Sequence, residues 1–127
     1  MDSRCNANLS SRAAHKLIAV WVFALLSSSL YGLELSKTLL NYINDRFGEA
    51  ATQRLVAWQS LANSDPSKAT SVKLNEVNTF FNQAAFVSDQ KHWGTEDYWA
   101  TPVELLATNA GDCEDYSIAK YFTLKEM

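Results

Sequence analysis

Two histidines, two cysteines, two prolines and four glycines are all that this 127-residue chain contains of those types. Each scarcity excludes something. Cys5 and Cys113 are too few for a disulfide framework or a four-thiolate zinc site. With His15 and His92 they form no zinc-ligand spacing either, and two imidazoles restrict histidine chemistry severely. So little Gly and Pro excludes collagen-like or linker-dominated chains. There is no basic excess: 11 Lys and Arg face 14 Asp and Glu, for a formal charge of −3. Nucleic-acid binders usually concentrate Lys and Arg on one face, so that partner class is excluded. No G-x-S-x-G elbow, P-loop, twelve-residue EF-hand loop, internal repeat or clear strand alternation is present. What remains is 47% hydrophobic, a globular composition in which one domain with a modest core is expected.

The first thirty residues read as an address. Arg4, Arg12 and Lys16 against Asp2 give the flank a net +2, and Leu17 to Leu26 is an unbroken apolar run of ten. Ser27, Ser28, Ser29 and Gly32 then supply small residues. A positive flank, a short apolar run and a small-residue exit make a secretory signal peptide. A retained anchor would need about twenty apolar residues. The expectation is a signal peptide over 1–29, cleavage after Ser29 or Gly32, no stable membrane span and a periplasmic destination. Cys5 precedes the apolar run and cannot be a lipidated first residue. Of the charged residues, eight basic and thirteen acidic lie after position 29, leaving no basic patch for nucleic acid or anionic lipid. Cys113 is then the one thiol left in an oxidising compartment.

The remainder reads as helices. Leu35, Leu39, Tyr42, Ile43 and Phe47 fall at helical spacing before Gly48, and Glu49 to Ala62 carries Leu55, Val56, Trp58 and Leu61. Asn63 to Ser67 is a turn, because Pro66 disfavours helix at Asp65. Ala69 to Val87 predicts a third helix, and Ser88 to Ala100 a loop packed down by Trp93, Tyr98 and Trp99. Thr101-Pro102-x-Glu104 opens a short helix as a near capping box with Pro at its first position. The last helix starts near Asp112. It is apolar nearly all round, so it is expected to be buried on most sides.

Gly111-Asp112-Cys113-Glu114-Asp115 is where chemistry would sit. With Asp112 as N-cap, Cys113 opens the helix, where the dipole favours a thiolate. Gly111 gives the backbone room to turn and a substrate carbonyl room to approach. Asp112, Glu114 and Asp115 oppose a thiolate unless a cation offsets them, and clustered carboxylates are hard ligands for calcium. The bland readings also fit: a lone Cys here can be a small buried hydrophobe, and the acids can be capping and dipole stabilisation. His92 is a conceivable base, but it lies in the aromatic loop well before the Cys.

Over residues 46–127 a set of motifs resembles the bacterial transglutaminase-like cysteine proteinases, the LapG-type periplasmic proteases. They are Arg46-Phe47-Gly48, Trp58, Val77-Asn78-Thr79-Phe80-Phe81-Asn82, Asp89, Trp93-Gly94, Asp97-Tyr98-Trp99-Ala100-Thr101-Pro102-x-Glu104 and Gly111 to Tyr121. The resemblance implies an α+β, papain- or transglutaminase-like fold with the nucleophilic Cys at the start of a central helix. It implies a Cys-His-Asp triad and calcium held by acids flanking the Cys, so that Cys113 is the nucleophile and Asp112, Glu114 and Asp115 the metal residues. The family cleaves large surface adhesins, releasing cells from biofilm, under an inner-membrane c-di-GMP receptor that sequesters the protease.

In that family the triad His and Asp, with their sheet, follow the Cys helix. The expectation is therefore a mainly α chain: residues 30–127 as the N-terminal part of the domain, truncated before both residues and inactive alone. Two other readings stay open: a non-catalytic fragment or helical module binding calcium or a partner, and transglutaminase-type acyl transfer.

Overall fold

The computed structural model describes residues 32–127, so the leader expected over 1–29, with Cys5 and His15, lies outside the described residues. Helix α1 (Lys37–Phe47) starts where Ser36 Oγ accepts the Leu39 amide at 3.2 Å. Gly48 ends it at φ 85°, a left-handed conformation that suits glycine, and α2 (Glu49–Ala62) begins at once. On α2, Ala51, Leu55, Trp58 and Ala62 recur at helical spacing and are buried, whereas Val56 faces outward. Asp65 closes the following turn by accepting both the amide and the hydroxyl of Ser67.

Helix α3 (Thr70–Phe81) buries Val77 and Phe81 and stops at Asn82. It is shorter than its apolar content predicts, because residues 85–86 leave the helix to form a strand. That strand, β1 (Ala85–Phe86), pairs in parallel with β2 (Ala110–Gly111), Ala85 opposite Ala110 and Phe86 opposite Gly111. The expected loop over 88–100 contains one short helix, α4 (Asp89–His92). Helix α5 (Pro102–Thr108) opens with the capping box in full: Thr101 Oγ1 accepts the Glu104 amide, and Glu104 Oε2 accepts the Thr101 amide. Asn109 ends α5 in the left-handed region at φ 56°. The carbonyls of Leu106 and Ala107 at that end accept from the Arg54 guanidinium, at 2.6 and 3.0 Å.

Helix α6 (Cys113–Glu126) turns Asp115, Ala119 and Thr123 inward. The Trp58 indole N–H donates to Thr123 Oγ1 at 2.7 Å, and that hydroxyl donates to the Ala119 carbonyl. One core gathers Ile43, Leu55, Trp58, Val77, Phe81, Leu105, Leu106 and Ala119. Leu124 packs against it from α6, but Tyr121 and Phe122 are exposed. The last helix is thus buried on one side, not on most. The chain is mainly α, as expected, and among the described residues no helix is long and apolar enough to cross a membrane.

Candidate active site

The two-residue ladder positions everything that follows. Because β1 and β2 run parallel, the residues just after each strand emerge side by side. Val87 donates its amide to the Gly111 carbonyl at 2.9 Å, which holds the start of α4 against the start of α6. Carboxylate oxygens of Asp89, Asp112 and Glu114 thereby come within 4.8 Å of one another.

Asp89 is buried, with Oδ2 accepting the Tyr98 amide at 2.6 Å. Its Oδ1 and the Oδ1 of Asp112 are buried without a protein partner. Buried acceptors are nearly always satisfied, and leaving one bare costs about 1–3 kcal/mol. The Glu114 carboxyl registers the crowding. Its own backbone N–H favours the charged form, but partial desolvation, a hydrogen bond shared with Asp112 and the charges of Asp112 and Asp89 push its pKa up. Three hard-oxygen donors with two bare lone-pair sites suit a calcium-sized cation, which would relieve that repulsion.

Asp115 does something else. It is fully buried; Oδ1 accepts the Ala100 amide at 2.7 Å and Oδ2 the Asp112 amide at 3.2 Å. Burial pushes its carboxyl up, against those two amides and with added repulsion from Asp112 and Asp89. Asp115 is expected among the metal acids with Asp112 and Glu114. The geometry places it behind them, fastening the 97–101 segment to the N-cap, while Asp89 stands in the cluster. Gly111 is also explained differently: a Cβ there would lie 2.7 Å from Asp115 Oδ2 and 2.7 Å from Leu105 Cδ1. Its bareness serves the close approach of Asp115.

Cys113, the first residue of α6, is exposed and carries a free thiol. It opens onto a groove of about 490 Å³ lined with Asn82, Ala84, Phe86, Tyr116, Ser117 and Lys120. Ser117 Oγ donates to the Cys113 carbonyl at 2.7 Å, and the Tyr116 hydroxyl donates to the Ala84 carbonyl at 2.8 Å, tying α6 to the approach of β1. His92 is stacked on Trp93, with ring centroids 4.3 Å apart, and Trp93 leans on Tyr98. Among the described residues no side chain hydrogen-bonds the Cys113 sulfur, His92 included. Tyr98 in turn donates to Glu104 Oε1 at 2.7 Å, which raises the pKa of the phenol.

Cys113, Asp112 and Glu114 therefore meet at one place, Asp115 supports it, and Asp89 joins from another element. A thiol at a helix start, open to a groove and flanked by a cation-ready cluster, can act as a nucleophile toward an acyl group. Residues 41–127 match the family model of the bacterial transglutaminase-like cysteine proteinases (BTLCP). Calcium-bound LapG of Legionella pneumophila superposes with a TM-score of 0.57 at 35% identity, covering 72% of this chain and 51% of that one. EGTA-treated LapG of the same organism gives 0.58 at 34% identity, covering 75% and 50%. The chain thus spans about half the length of the solved structures it matches. No curated protein matches it.

Proposed function

Because this chain belongs to the bacterial transglutaminase-like cysteine proteinases, we propose that Cys113 is the nucleophile of a calcium-dependent cysteine endopeptidase. The thiolate sulfur attacks a scissile carbonyl and forms a C–S bond. The C–N bond breaks, the amine leaves with a proton, and water then hydrolyses the thioester. The observation that carries this reading is the exposed Cys113 opening α6 onto its groove, one residue from both Asp112 and Glu114. Asp89, Asp112 and Glu114 would hold the cation, whose charge favours the thiolate beside it. The solved structure of calcium-bound LapG supports calcium as the ion.

The same reading takes residues 1–29 as a leader to the periplasm. It takes large surface adhesins as the substrate, their cleavage releasing attached cells, and an inner-membrane c-di-GMP receptor as the regulator. The family's proton transfers fall to a His oriented by an Asp. His92 is bonded to neither the sulfur nor a carboxylate, so it is not assigned that role. Among the described residues no side chain partners the sulfur, which favours a second reading, a non-catalytic fragment or a calcium- or partner-binding helical module without turnover.

An adhesin fragment incubated with the protein decides between them. Cleavage that needs calcium and vanishes in Cys113→Ala supports the peptidase. Calcium binding with no cleavage by a form that also carries the family's His and Asp supports the module, and cleavage surviving Cys113→Ala refutes the assignment.

A further inference from the structure

Among the described residues, Lys120 is the one cationic side chain lining the groove beside Cys113. Lys120 lies seven residues after Cys113, two turns along the same face of α6, so their backbones are separated by about 10 Å. Its ammonium is clasped by two neutral acceptors on the α3 side, Asn78 Oδ1 at 2.6 Å and Asn82 Oδ1 at 2.8 Å. It also lies 5.6 Å from the Tyr116 ring centroid. No carboxylate pairs with it among the described residues. The amides hold the charge in place without neutralising it.

On the groove's other wall, Phe86 is 68% exposed on β1. Ala85 and Val87 turn their amides toward Asn109 and Gly111, so by strand alternation the Phe86 amide and carbonyl face the free edge. That edge offers an extended peptide a strand to pair with. At about 3.3 Å per residue, roughly three extended residues match the separation along α6 between Cys113 and Lys120.

We propose that this groove receives an extended peptide along β1, and that Lys120 selects an acidic side chain about three residues from the carbonyl that Cys113 attacks. The proposal rests on Cys113 being the nucleophile and adds which substrates it takes.

Peptides carrying a chloroacetyl group at either end test it on the full chain. The Cys113 thiolate displaces chloride from the CH₂, forming C–S as C–Cl breaks, so no other reactant is needed. Peptide mapping by mass spectrometry separates Cys113 from Cys5. Asp three residues from the reactive group should label Cys113 about threefold faster than Asn there, and Lys should be slower than Asn, as expected for a partly exposed ion pair. In Lys120→Glu the order should reverse, and in Lys120→Met it should flatten, each variant having a thermal melt like the parent. Equal rates for all peptides would overturn the groove assignment while leaving the nucleophile intact. If small chloroacetamide itself fails to label Cys113 in the folded chain, the nucleophile assignment fails, and this proposal with it.

Discussion

Asp115 and Ala100, fifteen residues apart, are joined by a 2.7 Å hydrogen bond from the Ala100 amide to a carboxylate with no solvent exposure. That bond fixes the aromatic segment before α5 to the first turn of α6. It depends on Gly111, since any Cβ there would strike Asp115 and Leu105. Gly111→Ala should therefore cost about 1–3 kcal/mol, the usual range for overpacking. Urea unfolding would show this as a lower midpoint with an unchanged slope. A midpoint equal to that of the parent would mean that Asp115 can move aside.

Removing Asp89 should weaken the cation site from a distance in sequence. Asp89→Asn keeps the acceptor for the Tyr98 amide and removes one charge from the cluster. Calcium titration by calorimetry should give a weaker dissociation constant in Asp89→Asn, Asp112→Asn and Glu114→Gln, and little change in Asp97→Asn. For the parent, calcium at a hundred times its dissociation constant should add about 2.7 kcal/mol of stability. Unaltered affinity in Asp89→Asn would remove that residue from the site.

Glu104 gives the fold an acid-sensitive element. Desolvation works to raise its pKa, but the Thr101 amide, the Tyr98 hydroxyl and the Thr101 hydroxyl outweigh it and hold the carboxyl below its ordinary value. A depressed folded pKa means that stability is present above the unfolded pKa and is lost as pH falls through the folded one. Denaturation curves below pH 4.5 should thus be less steep with pH in Glu104→Gln than in the parent. Identical pH slopes would show that the capping box tolerates protonation.

The proposed leader over 1–29 is tested by N-terminal sequencing of protein recovered from a periplasmic extract. Its first residue should fall between Leu30 and Leu33. A membrane-bound product still starting at Met1 would reject export by cleavage.

Periodicity made most of the helical frame legible: Ile43, Leu55, Trp58, Val77 and Phe81 are buried where their spacing puts them. The Thr101 and Glu104 capping box and the opening of α6 at Cys113 could be read as local signals, because both partners lie within four residues. Asp89 could not. It reaches Asp112 and Glu114 through two paired residues on each side, too few for strand alternation to show. The same pairing ended α3 at Phe81 although apolar residues continue to Val87. Asp115 differs from its acidic neighbours in pointing inward, and charge alone carries no direction. Only the amides of Ala100 and Asp112 set it apart.

A ladder of two residues a side is also a weak hinge-pin. Few hydrogen bonds hold β1 to β2, and none of the four strand residues belongs to the buried apolar core. Small units of this kind open at a free energy well below that of global unfolding. A cation gripping Asp89 on one strand's exit and Asp112 and Glu114 on the other's would act as a clasp across that opening. Hydrogen exchange at the Val87 amide should then slow when calcium is added, while the amides of Leu55 and Trp58, deep in α2, keep their rates. Such a clasp would turn the ion's concentration into the lifetime of an assembled groove.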